Sequence, residues 1–579
     1  MLFVVLGIYF YPSARTASDT GFRGLPPNLA PDASLYLNIS QIPFTGAETV
    51  TDPYYGIQVP VARMGYLKFR LAFLLFGYLS SLLHGNLWWS LLLWNILWWS
   101  LLFFAAVWIL NNVLPDASLA IIAVGLALLF FADFGVLQAQ FAALFRPSLR
   151  AFQSLQLPYL RPFFPQTFVP LLILYLGMQI AALRRRTAWP WIVMGATQFL
   201  AFTIFPYAML VMAGITAIAL AGHSISVGNH LPKWTALFYA TACGLVDLLF
   251  FFHGHAIART GAPGDYPLFH LQFSVLPHRI GGMWLFLAVL TAAMFAARDL
   301  TPEVRWSLVG LGLANLILLC GDVVFSETAL QLSHHAGYFV QVTTAILLTV
   351  VLSAFLRRMN KYRSICRVAI SLLGVALVLN GAMIAHATYL TKRAANRELS
   401  ELDRILQSDP PASDDLVIVR SVTVDDLCAW APLASRSHVL FCRNAQVLLS
   451  PKQNQGVQRL RQAFYLYFTG RDARWVENVL DDPTQANELP RLTFLGQSTT
   501  HEVEGQATVN SVRSELIPML DRVERNDSTV QSFFRQYRRI IVIESAARPL
   551  FDDSRLAGYL NIERQATFQE MRILHCAAR

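Results

Sequence analysis

Long apolar runs recur along the first two thirds of the chain and then stop. A membrane-crossing helix needs about 20 mostly apolar residues. Runs of this kind occupy residues 67–84, 87–110, 167–183, 188–205, 207–222, 235–252, 281–297, 306–324, 338–356 and 366–389. Residues 119–145 are apolar but interrupted by Asp133 and Gly135. That pattern predicts two short crossings, 119–132 and 134–145, with one interfacial helix as the alternative. Residues 2–11 have the length of a signal-peptide core but lack a basic start and a small-x-small cleavage site. A first transmembrane helix is the preferred reading. The expectation for 1–389 is an all-α polytopic membrane bundle of about 11–13 transmembrane helices.

From residue 390 the pattern changes. A charged helix leads to Pro410-Pro411, and strand-like runs follow at 416–419, 439–442, 492–495, 540–544 and 572–576. Helical stretches at 453–468, 472–481 and 507–525 lie between them. Such alternation predicts a soluble α/β domain over 390–579 with a largely parallel sheet. It has no G-x-G-x-x-G and no G-x-x-x-x-G-K-[ST], so nucleotide binding has no support. The aromatic stretch Phe464–Phe468 is expected in the core.

Charge follows the same division. The 579 residues carry 45 Lys+Arg and 36 Asp+Glu. Residues 390–579 hold 24 of each, so the whole excess of +9 belongs to 1–389, where charge is expensive. Lys and Arg in short loops mark the cytoplasmic side. Arg184, Arg185, Arg186, Lys233, Arg298, Arg305, Arg357, Arg358, Lys361, Arg363 and Arg367 fall on one side by simple alternation through 188–389. Residues 13–65, 253–280, 325–337 and everything after 390 are then outside. Alternation also has 87–110 ending outside, so 111–166 is expected to cross an even number of times.

The connection 13–65 is long, polar and rich in Pro and Gly. Loops of this length are functional or disordered more often than passive. Residues 31–39 read as a short helix that Asp32 can cap. The Asp32 carboxylate can instead take a proton from an attacking hydroxyl. Asp52 lies in Asp52-Pro53-Tyr54-Tyr55-Gly56, which is also an ordinary turn sequence.

The order Asp32, Tyr36, Gly46, Pro53, Gly56 resembles the first-loop motif of the GT-C superfamily of integral-membrane glycosyltransferases. The many-span bundle and the C-terminal extracytoplasmic domain extend that resemblance over most of the chain. It departs at Ala33, where many members carry a second acid. The resemblance implies sugar transfer from a polyprenyl-phosphate-linked donor to an acceptor on the outer face, with inversion. It implies Asp32 as the general base, and Asp52 is the second candidate carboxylate. Tyr36 and Tyr54 are expected to touch substrate.

The outer side is also expected to carry ten cations: Arg15, Arg23, Arg63, Lys68, Arg70, Arg146, Arg150, Arg161, Arg259 and Arg279. Arginine forks bind phosphate bidentately. Arg146, Arg150, Arg161 and Arg63 are therefore the expected donor-phosphate ligands, with snorkelling to head groups as the alternative. His334 and His335 are candidate substrate contacts. Together with His253, His255, His270, His278, Asp265 and Glu327 they have donor chemistry for a divalent metal ion, although no metal-binding motif fixes one. Cys428 and Cys442 can pair in an oxidising compartment. The expected location is a bacterial inner or plasma membrane. A transporter or flippase for a lipid-linked glycan, and a catalytically inactive scaffold on the same fold, are the competing readings.

Overall fold

The computed structural model describes residues 1–21, 37, 40, 49–51, 58–60, 70–132, 134, 157–160, 166–185, 187–227, 282–319, 332–359, 362–420, 427–435, 437–442, 455–482 and 512–579. They group into two compact units. The first comprises Met1–Ala14, Lys68–His255 and Pro267–Leu390, the second Arg15–Leu67, Ala256–Tyr266 and Thr391–Arg579.

The described part of the first unit is helical. Its helices are Leu2–Thr20, Arg70–Leu82, Leu87–Val113, Leu119–Phe131, Phe168–Arg184, Trp189–Ile204, Pro206–Val227, Gly282–Ala296, Pro302–Leu319, Leu332–Arg358 and the first half of Arg363–Ser408. The expected runs 134–145 and 235–252 fall outside the described residues, apart from Phe134. Among the described residues, Leu87–Val113, Phe339–Arg358 and Ser364–Ser408 are long and apolar enough to cross a membrane, and Leu71–Leu82, Leu119–Phe131, Phe168–Arg184, Trp189–Ile204, Val211–Val227 and Trp284–Ala296 are shorter apolar helices.

This unit is apolar outside as well as inside. On Leu87–Val113, Trp89, Leu93, Leu97, Leu101 and Phe104 are exposed at three- and four-residue spacing, which makes one stripe. Trp94, Trp98, Leu102, Ala106 and Ile109 form the buried stripe. Glycines let bulky side chains close the helix contacts. A Cβ on Gly177 would lie 2.0 Å from the Trp108 indole, and one on Gly222 would lie 2.0 Å from Trp306.

Paired contacts fix helix direction. Gln166 donates to Asn95 at 3.0 Å, and Gly177 faces Trp108, so Leu87–Val113 and Phe168–Arg184 run parallel. Leu119–Phe131 returns antiparallel, with Gly125 against Leu110 and Phe130 against Phe103. Leu119–Phe131 is the one described pass between these two parallel helices, where an even number is expected over 111–166; the expected second pass, 134–145, lies outside the described residues apart from Phe134.

In the second unit, the C-terminal half of Arg363–Ser408 continues without a break from the apolar half. The sheet order is β4-β3-β5-β7-β6, from His438–Val439, Leu416–Val419, Ile540–Ser545, Met571–Ala578 and Leu560–Phe568. β3 is parallel to β4 and β5, while β7 is antiparallel to β5 and β6. The sheet is thus mixed rather than largely parallel. β6 escaped the sequence pattern because it is an exposed edge strand, polar over most of its length, with a register shift between Ile562 and Arg564. The expected strand 492–495 lies outside the described residues. Helices Gln455–Phe468 and Ala473–Asp481 cover the sheet core, with Phe464 stacked 5.2 Å from Phe533 and edge-on 4.7 Å from Phe534. Cys428 and Cys442 form a disulfide with Cα atoms 5.5 Å apart. Two further strands, β1 (Thr49–Thr51) and β2 (Gln58–Pro60), make a small antiparallel pair.

The Asp415 side chain is fully buried at the start of β3 and holds Arg538 and Arg539 at 3.2 and 3.0 Å. Burial opposes its charge. Hydrogen bonds from Arg538, the Ala412 amide and Arg539 outweigh that and keep the carboxyl below its ordinary value.

Two predictions follow from this packing. Gly222→Ala is expected to cost about 1–3 kcal/mol in thermal unfolding by overpacking against Trp306, whereas Gly7→Ala, with nothing within 4 Å of the added atom, is neutral or stabilising. Because the Asp415 value is depressed, its contribution is present above about pH 4 and is lost as pH falls through the folded value. Asp415→Asn should destabilise the domain by about 2–3 kcal/mol at neutral pH and flatten the acid limb of its stability curve. An unchanged acid limb would rule this out.

Candidate functional site

Helix Leu119–Phe131 ends inside the first unit, where Phe130, Phe131 and Ala132 are at most 1% exposed. A helix C-terminus leaves carbonyls without intrahelical donors, and an apolar interior offers no water to replace them. Three side chains from three other helices supply the donors. Tyr9 Oη donates to the Phe130 carbonyl at 2.8 Å, and Asn380 Nδ2 donates to that of Phe131 at 3.1 Å. Gln341 Nε2 donates to the Ala132 carbonyl and reaches those of Leu128 and Leu129 at 3.4 Å. Gln341 Oε1 accepts from the Phe134 amide, also at 3.4 Å. The break falls at the expected hinge, beside Asp133, which itself lies outside the described residues.

The same level of the bundle carries an aromatic and amide layer. Phe168 stacks on Phe205 at 4.6 Å and meets Phe339 at 4.9 Å. Trp99 Nε1 donates to the Tyr159 carbonyl at 2.8 Å, with Tyr9 4.9 Å from the Trp99 ring. Nearer the arginine-rich end, Gln198, Tyr175, Thr216, Gln179 and Ser307 form a continuous hydrogen-bonded chain across four helices. All five are buried. Paired polar groups of this kind hold helices together where no water competes.

Charge is separated along the unit. Its described charged side chains are Asp116, Arg184, Arg185, Arg298, Asp299, Glu303, Arg305, Arg357, Arg358 and Arg367. The helix directions bring all of them to one end, the end reached by Arg184. The aromatic layer belongs to the opposite half. Ala132, Leu157 and Leu160, the described residues that border the segments of Arg146, Arg150 and Arg161 in sequence, belong to that half. Helix Leu332–Arg358 also begins there, with His334 and His335 in its first turn.

Asp32, Tyr36, Asp52, Tyr54, Arg63, Arg146, Arg150 and Arg161 lie outside the described residues, as do the side chains of His334 and His335. Asp247, Asp322, Glu327 and the histidines of 253–280 do as well. Next to Tyr36 and Ile39, Leu37 and Ser40 are helical and buried, and Ser40 Oγ donates to the Leu37 carbonyl at 2.7 Å. In sequence, Asp52 and Tyr54 join β1 to β2. Among the described residues, no group of three or more His, Cys, Asp or Glu side chains is placed to hold a metal ion.

No family model matches the chain, and no curated protein does. Two solved structures resemble it over nearly its whole length. One is the crystal structure of ArnT from Cupriavidus metallidurans bound to undecaprenyl phosphate, at 13% identity and a TM-score of 0.47. The other is the apo state of the same protein, at 13% identity and a TM-score of 0.45. Each comparison covers 99% of this chain and 96% of that one.

The sequence reading missed Tyr9, Gln341 and Asn380. The signal available was a single amide in each of two otherwise apolar runs, since a polar side chain in such a run has a partner to serve. Gln341→Leu leaves the Ala132 carbonyl and the Phe134 amide without a partner. It is expected to cost about 1–3 kcal/mol in thermal unfolding of the purified chain. Thr349→Val, which removes only a bond to the Ala345 carbonyl within its own helix, is expected to cost far less. Equal costs would show that the helix end does not depend on Gln341.

Proposed function

We propose that this chain is an integral-membrane glycosyltransferase of the GT-C type. It takes a sugar from a polyprenyl-phosphate-linked donor and passes it to an acceptor on the outer face of a bacterial inner or plasma membrane. The observation that carries this reading is the separation of charge in the first unit. Its described charged side chains gather at one end, and the segments bearing Arg146, Arg150, Arg161, His334 and His335 are bordered in sequence by described residues of the other half. The first-loop order Asp32, Tyr36, Gly46, Pro53, Gly56 supports the same reading. So does the apolar exterior, which suits lipid rather than water.

Taken with the sequence pattern, the described helices correspond to about 11–13 crossings. The positive-inside bias puts the arginine-rich end in the cytoplasm, with residues 391–579 on the other side. In the reaction, the Asp32 carboxylate accepts the proton of the acceptor hydroxyl as that oxygen attacks the anomeric carbon. The bond from that carbon to the phosphate oxygen breaks, and the configuration inverts. The lipid phosphate leaves with the bonding electrons. Arg146, Arg150, Arg161 and Arg63 stabilise its growing charge. Tyr36, Tyr54, His334 and His335 position donor and acceptor, and Asp52 is the alternative base.

The test is transfer by the purified chain in detergent, with undecaprenyl-phosphate-linked sugars as donors and lipid or glycan acceptors, read by mass spectrometry. Asp32→Asn is expected to lower transfer by about 10²-fold or more with the unfolding temperature unchanged. Transfer by Asp32→Asn at the parent rate would remove the base assignment. Translocation of the donor in proteoliposomes without any covalent product would replace the enzyme reading by a flippase.

A further inference from the structure

Helix Arg363–Ser408 changes character at Leu390. Between Val368 and Leu390 its exposed large side chains are apolar apart from His386, among them Leu372, Val375, Leu379, Met383 and Leu390. Lys392, Arg393 and Arg397 follow, and all three are exposed. Leu390, Arg393 and Arg397 stand three and four residues apart, so they share one face of the helix.

The last turns of helix Leu2–Thr20 lie against this basic segment. The Asp19 carboxylate is 3.7 Å from Arg15 and 3.7 Å from Arg393, so one acid serves two arginines. Asn396 Nδ2 donates to Thr16 Oγ1 at 3.2 Å, and the Thr20 carbonyl accepts from Ser400 and Arg404 at 3.0 and 2.7 Å. These bonds hold the two helices in register and keep the cations together. Lys392 and Arg397 have no carboxylate within ion-pair distance among the described residues.

The arrangement opposes two general tendencies. Like charges four residues apart on a helix repel, as Arg393 and Arg397 do. The outer flanks of spans are also normally poor in Lys and Arg. A fixed anionic layer at the level where the apolar face ends removes both penalties. Arginine forks grip phosphate oxygens bidentately, and a lysine adds a point charge beside them.

We propose that Lys392, Arg393 and Arg397, with Arg15, form a binding site for the phosphate head groups of anionic phospholipids in the outer leaflet. The inference rests on the membrane reading above, in which Arg363–Ser408 leaves the hydrocarbon near Leu390. It assigns these residues a lipid partner separate from the sugar donor.

The test uses the full chain in a neutral detergent. Its unfolding temperature is measured with dioleoylphosphatidylglycerol, with dioleoylphosphatidylcholine at the same mole ratio, and with inorganic phosphate. The anionic lipid is expected to raise the midpoint by several degrees more than the zwitterionic one, and inorganic phosphate is expected to give no such shift. Lys392→Gln/Arg397→Gln changes two side chains without an ion-pair partner among the described residues, and it should abolish most of that difference. Arg393→Lys keeps the charge next to Asp19 and should retain it. Equal shifts from the two lipids, an undiminished preference in the double variant, or the full shift from inorganic phosphate would each overturn the proposal. Alkaline carbonate extraction of native membranes tests the premise separately. Release of the chain would remove the membrane reading, whereas retention with no lipid preference removes this site alone.

Discussion

A carbonyl group in an apolar interior has to find a donor, and the first unit is organised around that requirement. Leu119–Phe131 stops where no water reaches it, so its last turn draws on Tyr9, Gln341 and Asn380. Those residues come from Leu2–Thr20, Leu332–Arg358 and Arg363–Ser408, which are far apart in sequence. Satisfying one helix end therefore draws the beginning, middle and end of this unit together. The rest of the packing suits that convergence. Trp99 bonds to the Tyr159 carbonyl, Phe168 and Phe205 stack, and Gly381 leaves room for Phe131. A break in a helix is expensive in lipid unless protein covers it, and here three donors cover it.

The distribution of charge gives the unit a polarity that packing alone does not require. Arg184, Arg185, Arg357 and Arg358 end helices that point the same way, while Arg298 and Arg305 bracket the turn between two others. The opposite half holds buried aromatic rings and neutral amides among the described residues.

Much of the architecture was legible in the chain because it follows from periodicity. The apolar runs that are described became helices. Strands β3 and β5 announced themselves as short apolar runs buried along nearly their whole length. What escaped notice depends on partners that no local pattern names. β6 is polar along its exposed face. The parallel course of Leu87–Val113 and Phe168–Arg184 comes from contacts between residues more than sixty positions apart. Gln341 looked like one tolerated amide in an apolar run, and its task appears only beside the end of another helix. The candidate site was legible as a motif order in the first loop, and its expected residues lie outside the described ones.

The Cys428–Cys442 bond ties helix Leu427–Ser435 to the residues just after β4. Such a bond persists only where thiols are oxidised. On the membrane reading proposed above, completion of the domain is linked to its export. A chain detained on the reducing side would then carry helix Leu427–Ser435 without its link to the residues after β4. On that reading the cross-link records on which side of the membrane the domain completed its folding.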